Sequence, residues 1–517
     1  MKPKTWEIDP ARPDGSRLAR RFTYRDADDK VVAVETGTVS DAASTTLAVI
    51  SRVDTTYDSR RYAVRVAQSA GGTVQTLNAA SFDDRGQLVC ATVRMNLAAF
   101  ATTPSDACVA GTPGSQGADR ITRNIYDAGG QLVQVRKAVG TADGNADATF
   151  SYTANGKRQF VIDANGNRAQ YVYDGFDRLT QWIFPSTSRP AAYNPGLSST
   201  DAATVLASAL GSAGAANAAD YEQYGYDANG NRTSLRKRDG SALTYSYDAL
   251  NRVTTKIVPE RSGLNATHTR DVYYGYDVQD RPAYARFDSA TGQGVTNTFD
   301  GFGRLTGTTL TMDGTWAIGH GYDAHGNVTS TTFPDGNTVQ YSYDALDRPT
   351  QIQRSGTATV ASYSYDTAGR RTAFNGGVNT SYAYDSIGRP TSLSNNPAGN
   401  AGLNNAWTFA YNPAGQITTL TRSNDVFAFA GLYNVTRPYT ANGLNQYTAA
   451  GSATFAYDAN GNLTNDGSTS LTYDVENRLV GASGAKTATL RYDPLGRLYE
   501  VTGASGTTRF VWDGDAL

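Results

Sequence analysis

Tyr341-Ser342-Tyr343-Asp344-Ala345-Leu346-Asp347-Arg348 decides the fold in one short stretch. Two tyrosines lie two residues apart, so in a strand both rings point to one face. Asp344 then opens a bend, where its carboxylate can accept a hydrogen bond from a backbone amide further on. Three residues after the Asp, other copies carry Gly369, Gly388, Asn251 or Gly496, types that take positive φ at low cost. Arg follows, as at Arg178, Arg252, Arg348, Arg370 and Arg389, and a Thr-rich return strand begins. The stretch reads as a β-hairpin.

Working outward, Tyr-Asp occurs 13 times among 517 residues, where about three would arise by chance. Several copies are spaced near 20 residues apart, among them Tyr226, Tyr247, Tyr322, Tyr343, Tyr365 and Tyr384. Phe82-Asp83, Phe299-Asp300 and Tyr411-Asn412 read as degenerate copies. A second bend, Asp-Ala-Asn-Gly-Asn, stands at Asp163–Asn167, Asp227–Asn231 and Asp458–Asn462, and Asn-Gly is itself a strong hairpin signal.

Composition agrees. Of 48 acidic residues only 6 are Glu, and Asp favours turns where Glu favours helices. Hydrophobic residues reach 39%, while 32 Tyr supply rings that pack with a hydrated hydroxyl. A sheet wetted on one or both faces suits such a chain. No apolar run is long enough for a membrane helix, and no Sec-type signal peptide is visible in Met1–Glu7. A net charge of −2 with interspersed signs lacks the footprint of a nucleic-acid binder.

Two segments break the rhythm. Residues 185–221 hold an Ala/Ser-rich insertion, with Ser198-Ser199-Thr200-Asp201 placed to cap a short helix near Asp201–Leu210 that Gly211 would end. Asn395–Asn405 reads as a long loop. The expected domains are 1–120, with weaker repeats such as Thr23–Lys30, and 121–517, the main repeat sheet.

Tyr492-Asp493-Pro494-Leu495-Gly496-Arg497-Leu498, with Tyr173–Leu179 and Tyr473–Leu479, resembles the YD repeat of the Rhs family, which is related to Tc toxin B and C subunits and to teneurins. The resemblance implies an all-β fold: tandem hairpins in a long curved antiparallel sheet, a partial hollow shell, here with one short inserted helix. It also implies a function, the structural shell that encloses and helps deliver a C-terminal toxin in interbacterial competition. Implied partners are the toxin cargo or the remaining shell half, with secretion-system or cell-surface glycan partners, in a secreted or cell-surface bacterial setting. The family's core motif downstream of the repeats has no counterpart here. Arg509–Leu517 reads as a repeat cut short, a truncated or split product whose last strand is left unpaired in an arc or half-shell.

Chemistry is sparse by comparison. After Asp163, Arg168 and Asp174 stand where a calcium loop needs Gly and Glu. His268, His320 and His325 are the whole histidine complement; the last two flank the Tyr322 bend, and a pair without a third ligand is weak evidence for a metal or a relay. Gly301–Gly307 misses dinucleotide-loop spacing and sits in a repeat. Cys90 and Cys108 either form a disulfide or remain two thiols. The expectation is no enzyme, no cofactor, and no catalytic, cofactor-binding or metal residue. The alternatives are an extracellular adhesin whose tyrosine rows stack on glycans, and an enzyme using paired carboxylates.

Overall fold

A computed structural model of the chain describes residues 5–9, 11, 15–25, 29–354 and 358–517. It is nearly all-β, with sheets of 31, seven and three strands. The pairings are antiparallel and join consecutive strands, as in Thr338–Tyr343 with Pro349–Arg354 and then Ala358–Tyr365. This is the tandem-hairpin architecture that the repeat predicts.

The register breaks at the same place in copy after copy. Ser342 pairs with Gln351, yet Tyr343 pairs with Pro349, so two residues on one strand oppose one on the other. The same shift occurs at Tyr173, Tyr226, Tyr247, Tyr322, Tyr365 and Tyr492. Its cause is the residue three after the Asp. Asn251 (φ 62°), Asp347 (φ 57°) and Gly369 (φ 79°) are left-handed, and such a residue after a tight turn inserts a bulge that twists the hairpin. The Asp-Ala-Asn-Gly-Asn form uses the same bend. Gly166 and Gly230 carry the positive φ there, so Asn-Gly does not make a two-residue turn of its own.

Contacts divide the chain into two compact units. The first comprises Met1–Ala148, Leu197–Val205 and Val339–Tyr433. Before residue 120 it already consists of long hairpins, including Arg17–Arg25 with Lys30–Val39; residues 26–28 of the eroded copy lie outside the described residues. Cys90 and Cys108 are bonded, tying the connection after strand Leu88–Val93 against a small core with Ala107 and Ile121. Asn395–Asn405 is not a long loop. Strand Pro390–Pro397 and strand Asn405–Tyr411 take up its ends and pair with each other, and the 3-10 turn Ala401–Leu403 lies between them.

The second unit comprises Thr149–Gly196, Leu206–Thr338 and Asn434–Leu517. Its main core gathers Val272, Phe287, Val295, Leu310 and Met312 from the repeats around Tyr499, and a second joins Leu243 and Val258 to Val475. The helix Ala202–Ser212 is capped as expected, with Asp201 Oδ1 accepting from the Thr204 amide at 2.8 Å. It runs through Gly211 to Ser212, where Ser212 Oγ donates to the Ser208 and Asn194 carbonyls.

Candidate functional site

The repeated bend is the most developed constellation in the molecule. In the Asp248 copy, Oδ1 accepts from the amides of Leu250 (2.9 Å) and Arg252 (3.0 Å), and Oδ2 accepts from Arg252 Nε at 2.7 Å. The backbone closes the loop, with the Asp248 amide on the Arg252 carbonyl and the Asn251 amide on the Asp248 carbonyl. Asp277, Asp300, Asp344, Asp385 and Asp474 repeat these side-chain bonds. The Arg252 guanidinium, then the Arg252 and Leu250 amides, hold Asp248 below the ordinary carboxylate range. At Asp344 burial works the other way, and Arg348 with the amides of Arg348 and Leu346 outweighs it.

In the copies that carry Arg, two side chains then fasten the bend to a neighbour. The tyrosine hydroxyl donates to a carbonyl in the preceding hairpin: Tyr322 to Leu305 (2.6 Å), Tyr384 to Arg371 (2.8 Å), Tyr492 to Leu479 (2.8 Å). The arginine reaches forward. Arg304 Nη1 donates to the Asp323 carbonyl at 2.9 Å, and its guanidinium lies 4.6 Å from the Tyr322 ring centroid. Arg348 over Tyr365, Arg370 over Tyr384 and Arg389 over Tyr411 repeat that stacking at 4.5 to 4.8 Å. Trp512 takes the tyrosine place beside Arg497, its Nε1 donating to the Leu498 carbonyl at 2.7 Å.

The other candidates take structural positions. His320 Nε2 lies 2.9 Å from Asp513 Oδ1, and Thr331 Oγ1 is 3.4 Å from Nδ1. His325 stands on the bend, its amide donating to Asp323 Oδ1. Asp163 accepts from the Asn165 and Asn167 amides and from the side chains of Asn167 and Asn445, so its oxygens serve the turn. Among the described residues no group of three or more His, Cys, Asp or Glu could hold a metal ion. No described helix is long and apolar enough to cross a membrane.

Sequence reasoning missed one polar cluster. Arg94 is 1% exposed and donates to Asp119 (2.8 Å) and to the carbonyls of Val109, Pro104 and Asp106. Asp119 also accepts from the amides of Met95 and Gly111. Burial opposes its ionisation, yet Arg94 and the two amides leave its pKa lowered. Arg94 sits outside the repeat offsets, so nothing in the sequence pattern pointed to it.

Hairpins locked each to the last by Tyr and Arg define a β-hairpin repeat protein. Two stretches of these hairpins are RHS repeats: the RHS Repeat family model matches residues 223–262 and 322–359. Over 78 residues the chain is 33% identical to the tRNA3(Ser)-specific nuclease WapA of Bacillus spizizenii and to the tRNA nuclease WapA of Bacillus subtilis. That match covers 14% of this chain and 3% of those proteins. Among solved structures the chain is similar to TcdB2-TccC3-Cdc42 (TM-score 0.46, 14% identity, 97% of this chain and 27% of that one). The Photorhabdus luminescens Tc holotoxin pore gives a TM-score of 0.45 at 13% identity, over 97% of this chain and 26% of that one.

Proposed function

We propose that this chain is a wall segment of a toxin-enclosing shell and performs no chemistry itself. The observation that carries the reading is the fate of the conspicuous polar groups. Turn carboxylates are spent on amides and an arginine, arginines on carbonyls and rings, and tyrosine hydroxyls on the preceding hairpin. Side chains so engaged make a stiff sheet and leave little free for substrate. The two sequence relatives are nucleases, which supports a toxic activity as cargo, with the rest of a shell as the other partner. A bacterial product released to the outside, or held at the cell surface, fits that role.

The adhesin reading loses support on the same ground. A ring stacked under Arg348, Arg370 or Arg389 is already covered on one face, and its hydroxyl is bonded. The test is co-expression of this chain with the polypeptide encoded next to it, followed by limited proteolysis. Protection of the second polypeptide is the expected result. Free digestion of it, or hydrolysis of a substrate by this chain alone that a single Asp variant abolishes, refutes the proposal.

A further inference from the structure

In the first unit, strand Arg120–Tyr126 pairs with strand Leu132–Lys137 so that Arg123 lies directly opposite Arg136. Directly opposed residues share a face with their Cβ atoms about 5 Å apart, and like charges so placed repel. Arg136 is only 5% exposed, so its own side chain gains little from solvent. Its Nε donates to Gln134 Oε1 (2.6 Å), and its two Nη atoms donate to the carbonyls of Leu197 (3.0 Å) and Ser199 (2.7 Å). Among the described residues Arg123 has no ion pair and no side-chain hydrogen bond. Arg123 and Arg136 both line a cavity of about 230 Å³, together with Lys137, Gly140, Thr141 and Asn145. Lys137 is shared with Asp147 at 2.9 Å. Burial first, and the charge of Arg123 second, lower the pKa of Arg136.

We propose that this cavity is a binding site for a small oxyanion, a phosphate or carboxylate group held between the Arg123 and Arg136 guanidinium planes. Guanidinium forks bind such groups through paired, charge-assisted hydrogen bonds, and an anion between two opposed arginines turns their repulsion into attraction. The site lies outside the turn ladder, and it stands or falls independently of any cargo.

Thermal unfolding of the full chain in Tris chloride is followed while inorganic phosphate, or acetate, replaces chloride at constant ionic strength. A rise in midpoint with phosphate identifies a phosphate site, and a rise with acetate alone a carboxylate site; either supports the proposal. Arg123→Gln, which keeps the length of the side chain and can be judged folded by its own transition in chloride, is expected to weaken the anion about tenfold or more. Arg123→Lys should recover part of that affinity. Equal midpoints in chloride, phosphate and acetate overturn the proposal, as does an anion-dependent rise that Arg123→Gln leaves intact.

Discussion

Asp474→Ala and Asp248→Ala each remove two amide bonds and an arginine pair, so the two variants together gauge what burial adds to a repeated turn. Asp474 accepts from the Glu476 amide (2.9 Å), the Arg478 amide (2.8 Å) and Arg478 Nε (2.6 Å), and Asp248 accepts equivalently from Leu250 and Arg252. The Asp474 carboxylate is 1% exposed, however, and that of Asp248 is 23% exposed. Removing one partner of a buried pair costs about 3–5 kcal/mol, because the remaining charge and donors stay desolvated. Arg478 is 21% exposed and keeps Glu476 Oε2 at 2.8 Å, which places Asp474→Ala near the lower end, at roughly 3 kcal/mol. Asp248→Ala should lose clearly less, since water replaces the carboxylate. Denaturant unfolding at neutral pH, extrapolated to water, measures both. Equal losses, or a loss at Asp474 below about 1 kcal/mol, refute the claim that these turns are fixed by buried carboxylates.

Other expectations follow from the same geometry. Asp119, Asp344 and Asp385 have lowered pKa values in the fold, so their contribution is complete above the unfolded carboxylate value and is lost as pH falls through the lowered one. Thermal midpoints should therefore drop as pH goes below about 4, and this part of the profile should flatten in Asp119→Asn. The Cys90–Cys108 bond spans 18 residues, and opening a loop of that size costs about 3 kcal/mol, readable as a lower unfolding free energy in Cys90→Ser/Cys108→Ser or under reductant. Gly230→Val should lose about 1–2 kcal/mol through its positive φ alone. Gly166→Val should lose more, because its Cβ would come within 2.6 Å of the Tyr193 ring, while Gly301→Val, with neither constraint, should change little.

The hairpin unit was legible because its causes are local. The Asp carboxylate bonds amides two and four residues on, and the left-handed residue sits between them, so a five-residue window contains the whole turn. The Asp201 cap was legible for the same reason. The strand after the bulge follows from the turn, and tandem copies then favour antiparallel neighbours.

What lay beyond the sequence is what depends on partners far along the chain. Tyr226 bonds the Leu179 carbonyl across 47 residues because the 185–221 insertion intervenes, whereas Tyr322 bonds Leu305 across 17. Alternation says that two tyrosines share a face, but it does not say which face another segment will cover. Tyr499 is fully buried with its hydroxyl on the Met312 carbonyl, while Tyr439 and Tyr447 stay more than half exposed. Arg94 and the Arg123–Arg136 pair carry no offset that marks them. Turn chemistry is set by neighbours within one bend and is therefore written in the sequence; burial is set by which distant surfaces exclude water together, and only the tertiary structure decides that.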